Sequence, residues 1–123
     1  MAEQDEILKL VSEIGYAATH HGLGSRALPI FEGLAVLRPQ SAAGPIGKAL
    51  VALASAKPDE AARILEQEAL AAEPDSRPAK SMLGLALRFA GRNHDSRRVL
   101  ERLVAEDEGD SSSRLARDLL DAR

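Results

Sequence analysis

Cysteine and tryptophan are missing from this chain, and one tyrosine and two phenylalanines are the only aromatic residues among 123. Without cysteine there is no disulfide, no zinc–thiolate centre and no thiol nucleophile, which fits a reducing cytoplasm. With aromatics at 2% against 45% apolar residues, the core must be leucine, alanine, isoleucine and valine. Leucine and alanine favour helix and β-branched residues are sparse, so an all-α chain is expected. Neither sign of charge dominates: 16 lysines and arginines against 19 aspartates and glutamates leave −3. The basic residues are scattered with no aromatic residues between them, so no field or stacking platform for nucleic acid is expected. No apolar run reaches the roughly 18 residues of a membrane span. The acidic start Met1-Ala2-Glu3-Gln4-Asp5-Glu6 is unlike the basic opening of a signal peptide. The expectation is a single cytoplasmic domain, 1–123, whose partner is neither nucleic acid nor membrane.

What the chain does have is a pattern written nearly three times: Ile14-Gly15-Tyr16-Ala17-Ala18, Lys48-Ala49-Leu50-Val51-Ala52 and Leu83-Gly84-Leu85-Ala86-Leu87. The central small residue recurs after 34 positions and then after 35. A period in this range signals stacked repeats, none of which buries its apolar face alone.

Each unit reads as two helices. Ile7, Leu10, Val11, Ile14 and Ala18 keep helical spacing up to His21-Gly22, where Gly22 and Gly24 supply a turn. Ser25 is the expected cap of a second helix bearing Ala27, Leu28, Phe31, Leu34 and Leu37, with Pro29 tolerated in its first turn and Pro39 past its end. The second unit opens near Ser41 with the stripe Ile46, Ala49, Leu50 and Leu53. Lys57-Pro58-Asp59-Glu60 then starts a helix through Ala61, Ile64, Leu65 and Ala69. The third opens at the cap Asp75-Ser76, runs through Met82, Leu83, Leu85, Ala86 and Phe89, and stops at Gly91. Its second helix starts at Asn93 or Asp95 and carries Val99, Leu100, Leu103 and Val104. After the polar loop Asp107-Glu108-Gly109-Asp110, Ser112 or Ser113 is expected to cap a last helix with Leu115, Leu119 and Leu120. Seven short helices and no strands are predicted.

No residue cluster carries an enzyme signature. His20 and His21 are adjacent and point about 100° apart on a helix, so they cannot share a metal from one face. His21-Gly22-Leu23-Gly24 lacks the strand and the lysine of a phosphate loop. Asp107–Asp110 is too short for a calcium loop and reads as a solvated linker. Ser111-Ser112-Ser113 has no base beside it. Asp59 or Glu60 with Arg63 reads as a surface ion pair. Neither cofactor nor metal is expected.

These positions resemble the tetratricopeptide repeat, a helix–turn–helix unit of 34 residues. The family asks for a small residue within the first helix, alanine early in the second, a large apolar residue one turn later, and proline past the end. Gly15, Ala27, Phe31 and Pro39 meet all four in the first unit. The second has Ala49, Ala61 and Leu65, with Pro74 one residue late. The third has Gly84 and Leu100, but Ser96 replaces the alanine and Glu108 the proline. The resemblance covers roughly residues 5–107. It implies an α-solenoid of three repeats, about 8–41, 42–76 and 77–110, plus a capping helix, about 112–122.

In that family the first helices line a concave groove. Transferred to this chain, the groove takes Lys9, Ser12, Tyr16, Thr19 and His20 from the first unit. The second adds Ala43, Ile46, Leu50, Leu53 and Ala54, and the third Pro78, Ser81, Leu85, Arg88 and Phe89. Tyr16, Ile46, Leu50, Leu53, Leu85 and Phe89 are the expected apolar anchors, with Lys9 and Arg88 as orienting charges and Ser12 between them. An apolar floor with a polar rim suits an amphipathic helix of a partner. The same leucines also fit a core covered by the last helix or by a second copy, as in a homodimer. The lysine, asparagine and arginine set that clamps a carboxylate in some members of the family is missing.

Within the family, the compact cysteine-free chain and the run Phe31-Glu32-Gly33-Leu34-Ala35-Val36-Leu37-Arg38-Pro39 resemble the small chaperones of bacterial type III secretion, the needle-subunit group in particular. That resemblance implies a chaperone holding the amphipathic helix of a secreted subunit, together with a second small chaperone. The alternative is a generic scaffold or adaptor for assembling a protein complex.

Overall fold

Small residues decide how closely the helices of this chain approach one another. The computed structural model describes residues 24–122. Helix α1 spans Gly24–Leu37 and α2 Ala43–Ala54. Helix α3 opens as Pro58–Ile64, passes through a π-helical stretch Leu65–Ala69 and closes as Leu70–Ala72. Then come α4, Arg77–Phe89, α5, Asn93–Ala105, and α6, Ser111–Asp121. Among the described residues there is no strand. The helices form packed antiparallel pairs, α2 with α3 and α4 with α5, so the fold is all-α and built of helical repeats. The first helix expected from the sequence, over Ile7–Ala18, lies outside the described residues.

The residues that set the period are the most buried. Ala49, Ala61 and Leu65 are sealed within the α2–α3 pair. At Gly84 a Cβ would lie 2.3 Å from Leu100 Cδ2, so the absence of a side chain lets α4 and α5 close around that leucine. Between units, the Phe31 ring of α1 lies over Gly47 of α2, where an added Cβ would collide with it. One core runs from Ala27 to Leu87. A second cluster, Leu100, Leu103 and Ala116, joins α5 to α6, with Val104, Leu119 and Leu120 packed against it.

The late proline of the second unit has a structural cause. From Phe31 to Ser41 and from Leu100 to Asp110 is ten residues, but from Leu65 to Ser76 is eleven. The additional residue falls where α3 turns π-helical, and the Leu70 N–H reaches back five residues to the Leu65 carbonyl. A wide turn of this kind takes in one extra residue without rotating the flanking helix off its partner. The 35-residue step is therefore a local loosening of α3, and the stacking geometry survives it.

Several local expectations are corrected. Helix α1 is described from Gly24, so Pro29 lies beyond its first turn, inside the helix. Pro29 is exposed there, so its ring displaces no core contact, and the helix forgoes the one hydrogen bond its missing N–H would make. Helix α6 begins at Ser111 with Asp110, not Ser112 or Ser113, as its cap; the Asp110 carboxylate accepts from the Ser113 N–H at 2.9 Å. Arg63 pairs not with Asp59 or Glu60 but with Glu68, at 3.9 Å, since the π turn brings that carboxylate round to it. Ser76 caps α4 as expected, accepting from the Ala79 N–H at 3.2 Å. No described helix is long and apolar enough to cross a membrane.

Candidate partner-binding surface

Helices α2 and α4 are the first members of their pairs, and their outward residues are the candidates for contact. Most of α2 is buried, because its alanines and glycines admit close neighbours on both sides. Leu50 and Leu53 are half-buried against the core, and Leu85 holds the same state on α4. These three leucines lie on the first helices of adjacent pairs, each packed in part against the core. Ile46 is different: at 3% exposure it belongs to the core and has no free face to offer. Phe89 is 65% exposed at the last residue of α4. Lys9, Ser12, Tyr16, Thr19 and His20 lie outside the described residues.

Helix α6 runs alongside α4, and an arginine at each end of α4 holds it there. At the start, Arg77 Nε donates to Asp110 at 2.8 Å, and Nη2 donates to the Ser113 hydroxyl at 2.7 Å and to the Leu103 carbonyl at 3.1 Å. Glu106 and Glu108 add charge at 3.8 and 3.6 Å. Glu108, which stands where the repeat pattern wants proline, is thus part of an ion-pair cluster. Burial alone would push the Asp110 carboxyl up. Hydrogen bonds from Arg77 and from the Ser113 hydroxyl and N–H, with the guanidinium charge, outweigh it and hold the carboxyl well below the usual carboxylate range. The same bond to Asp110 raises Arg77 against the opposing effect of burial.

At the other end, Arg88 donates to the Leu119 carbonyl and, at 3.1 Å, to the Ala122 carbonyl. A cation at those carbonyls complements the negative end of the α6 dipole. Arg88, expected to orient a ligand, therefore has its donors engaged by the capping helix. Sequence reasoning missed both tethers. The signal was present for Asp110, an aspartate just ahead of a helical stretch, but the three serines after it competed for the same role.

Among the described residues, α4 also borders two hollows. One, of about 690 Å³, sits between α3, α4 and α5. Leu70, Leu83, Leu87 and Val99 contribute apolar walls, and acidic and basic side chains share its rim. The other, of about 390 Å³, lies where the end of α4 meets α5 and the end of α6, and includes Phe89 and Arg97. No group of histidine, aspartate and glutamate side chains among the described residues could hold a metal ion.

Neither the curated proteins nor the solved structures contain a match to this chain. A family model does match, described as tetratricopeptide repeat, over residues 52–119. That stretch is more than half of the chain and runs from the end of α2 to within α6, taking in the second helix of one pair, the whole of the next and the tethered cap. With small residues at Ala49 and Gly84 sealing two successive helix pairs, the chain belongs to the tetratricopeptide repeat family.

Proposed function

We propose that this protein is a non-enzymatic binding module that holds an amphipathic helix of a partner protein across the outward face of its first helices. The family supports protein binding in general terms. The observation behind the particular reading is that Leu50, Leu53 and Leu85 stay half-exposed on α2 and α4, although most residues around them on those helices are buried. An apolar row of this kind is what the anchors of a docking helix need. Lys9, Ser12 and Tyr16 of the first unit extend the proposed row, with Phe89 at its far end.

The narrower proposal is a cytoplasmic chaperone of bacterial type III secretion, which covers the helix of a secreted subunit until export. The run Phe31–Pro39 supports it. Phe31 is locked on Gly47, while Val36 and Leu37, at 79% and 80% exposure, offer apolar surface to a second chaperone or the client. The competing reading is a scaffold for assembling folded proteins.

The test is recovery of the tagged full chain from its native cells, with quantitation of what accompanies it. A small helical subunit in near-equal amount, lost with Leu50→Asp and with Leu85→Asp while circular dichroism stays unchanged, supports the chaperone. Large folded complexes, or the chain alone as a stable dimer, move the answer to scaffold.

A further inference from the structure

The smaller hollow adjoins the far end of the proposed groove, with which it shares Arg88 and Phe89, and adds Asn93, Arg97, Leu119 and Leu120, which the concave-face reading leaves unused. Phe89, Leu119 and Leu120 give it apolar walls, and Arg88, Asn93 and Arg97 its polar ones. No aspartate or glutamate is among the described residues that line it. Phe89 stands 65% exposed over this recess, whereas Leu119 and Leu120 are half-buried. Arg88 is fixed by bonds to backbone carbonyls, which orient its guanidinium without neutralising its charge. Arg97 is exposed and makes no ion pair among the described residues. Arg92, Arg117 and Arg63 pair with Asp95, Asp107 and Glu68, whereas Arg97 shares its unpaired state among the described residues with Arg38, Arg98, Arg102 and Arg114; what sets Arg97 apart is its place on the wall of this hollow. On a chain with a net charge of −3, a hollow lined by two arginines, one of them only partly offset by the α6 dipole, and by no carboxylate among the described residues is a local reversal of sign.

We propose that this recess at the α4–α5–α6 edge is a second docking site, and that it takes a short protein segment bearing a large apolar side chain next to an aspartate or glutamate. The apolar residue fills the space between Phe89 and the two leucines. Its acidic neighbour meets Arg97, with Arg88 behind it as a fixed positive charge. Charge complementarity selects the occupant, and the volume of about 390 Å³ suits one or two side chains. A polyanion such as nucleic acid is disfavoured, because the recess offers a single aromatic face and the rest of the chain is acidic.

The test is a titration of the isotope-labelled full chain, followed by amide shifts, with the blocked peptide Ac-Glu-Leu-Phe-Glu-NH2. The controls are Ac-Lys-Leu-Phe-Lys-NH2 and inorganic pyrophosphate. The acidic peptide should perturb amides around Phe89, Asn93, Arg97 and Leu120, and bind about fivefold tighter than the basic one, the scale of an exposed ion pair. Arg97→Glu should reverse that preference, and Phe89→Ala should weaken both peptides. Both side chains are exposed, so the variants are expected to fold. Equal binding of the two peptides, no shifts at these residues, or pyrophosphate displacing the acidic peptide would overturn the proposal. Shifts confined to Leu50, Leu53 and Leu85 would also overturn it while leaving the concave-face reading intact.

Discussion

Arg77, the first residue of α4, donates to Asp110, the cap of α6, at 2.8 Å, and the two side chains are only 10% and 13% exposed. One carboxylate thus starts a helix and neutralises a largely buried guanidinium from the repeat before it. Removing the carboxylate leaves that cation without its closest partner, so Asp110→Ala is expected to cost about 3 kcal/mol. Asp110→Asn keeps the cap and one acceptor for Arg77, and should cost less. Urea denaturation of the full chain measures both.

The same pair fixes the sign of a pH effect. The Asp110 carboxyl lies below its ordinary value of 3.8 in the folded chain. The unfolded state therefore binds more protons as acid is added, and stability rises with pH through this window. The contribution is complete above about pH 5 and is lost progressively below it. Asp110→Asn should flatten this acid limb, and denaturation midpoints at neutral pH and near pH 3 check it.

Two glycines in helices should respond in opposite directions. An added Cβ at Gly84 meets Leu100, while at Gly33 it meets nothing within 4 Å. Gly84→Ala is expected to lose roughly 1–3 kcal/mol through overpacking, and much less when Leu100 is also cut to alanine. Gly33→Ala should gain roughly 0.5–1 kcal/mol from helix propensity alone. Thermal or urea unfolding separates the two signs.

Helices α2 and α4 end in the same motif with different residues. Lys57 N–H bonds to the Ala52 carbonyl at 2.8 Å, and Arg92 N–H to the Leu87 carbonyl at 2.9 Å. Ala56 and Gly91 take the left-handed position, at φ 59° and 79°. Alanine is strained there and glycine is not. Ala56→Gly should stabilise by up to about 1 kcal/mol, and Gly91→Ala should destabilise by about the same amount.

The π turn of α3 predicts an unusual tolerance of deletion. Removing Gln67 should leave the flanking helix in register and restore a 34-residue step, since the wide turn Leu65–Ala69 holds the surplus residue. Removing Arg97 from α5 should rotate Leu100 and Leu103 by about 100° relative to the preceding turn, out of the core, and unfold the third unit. Backbone chemical shifts of the two deletion variants distinguish a regularised helix from a collapsed one.

The sequence by itself determined the class and the period of this fold. Alanine and glycine at Ala49, Ala61 and Gly84, with Leu65 and Leu100 beside them, define helix pairs wherever they are read, because close approach of two helices depends on side-chain volume alone. It also showed Ser76 as a cap and Gly91 as a stop, since those roles belong to single residues and their backbone. Only the tertiary structure decided which groups meet across thirty or more positions. Asp110 faces Arg77 and Arg88 reaches the end of α6, and across a shorter span Ser96 satisfies its buried hydroxyl by donating to the Gly84 carbonyl at 2.6 Å. The burial of Ile46, beside the half-exposed Leu50, was hidden for the same reason. A stripe on one helix tells which way a residue points, and only the neighbouring helices fix how much of it they cover.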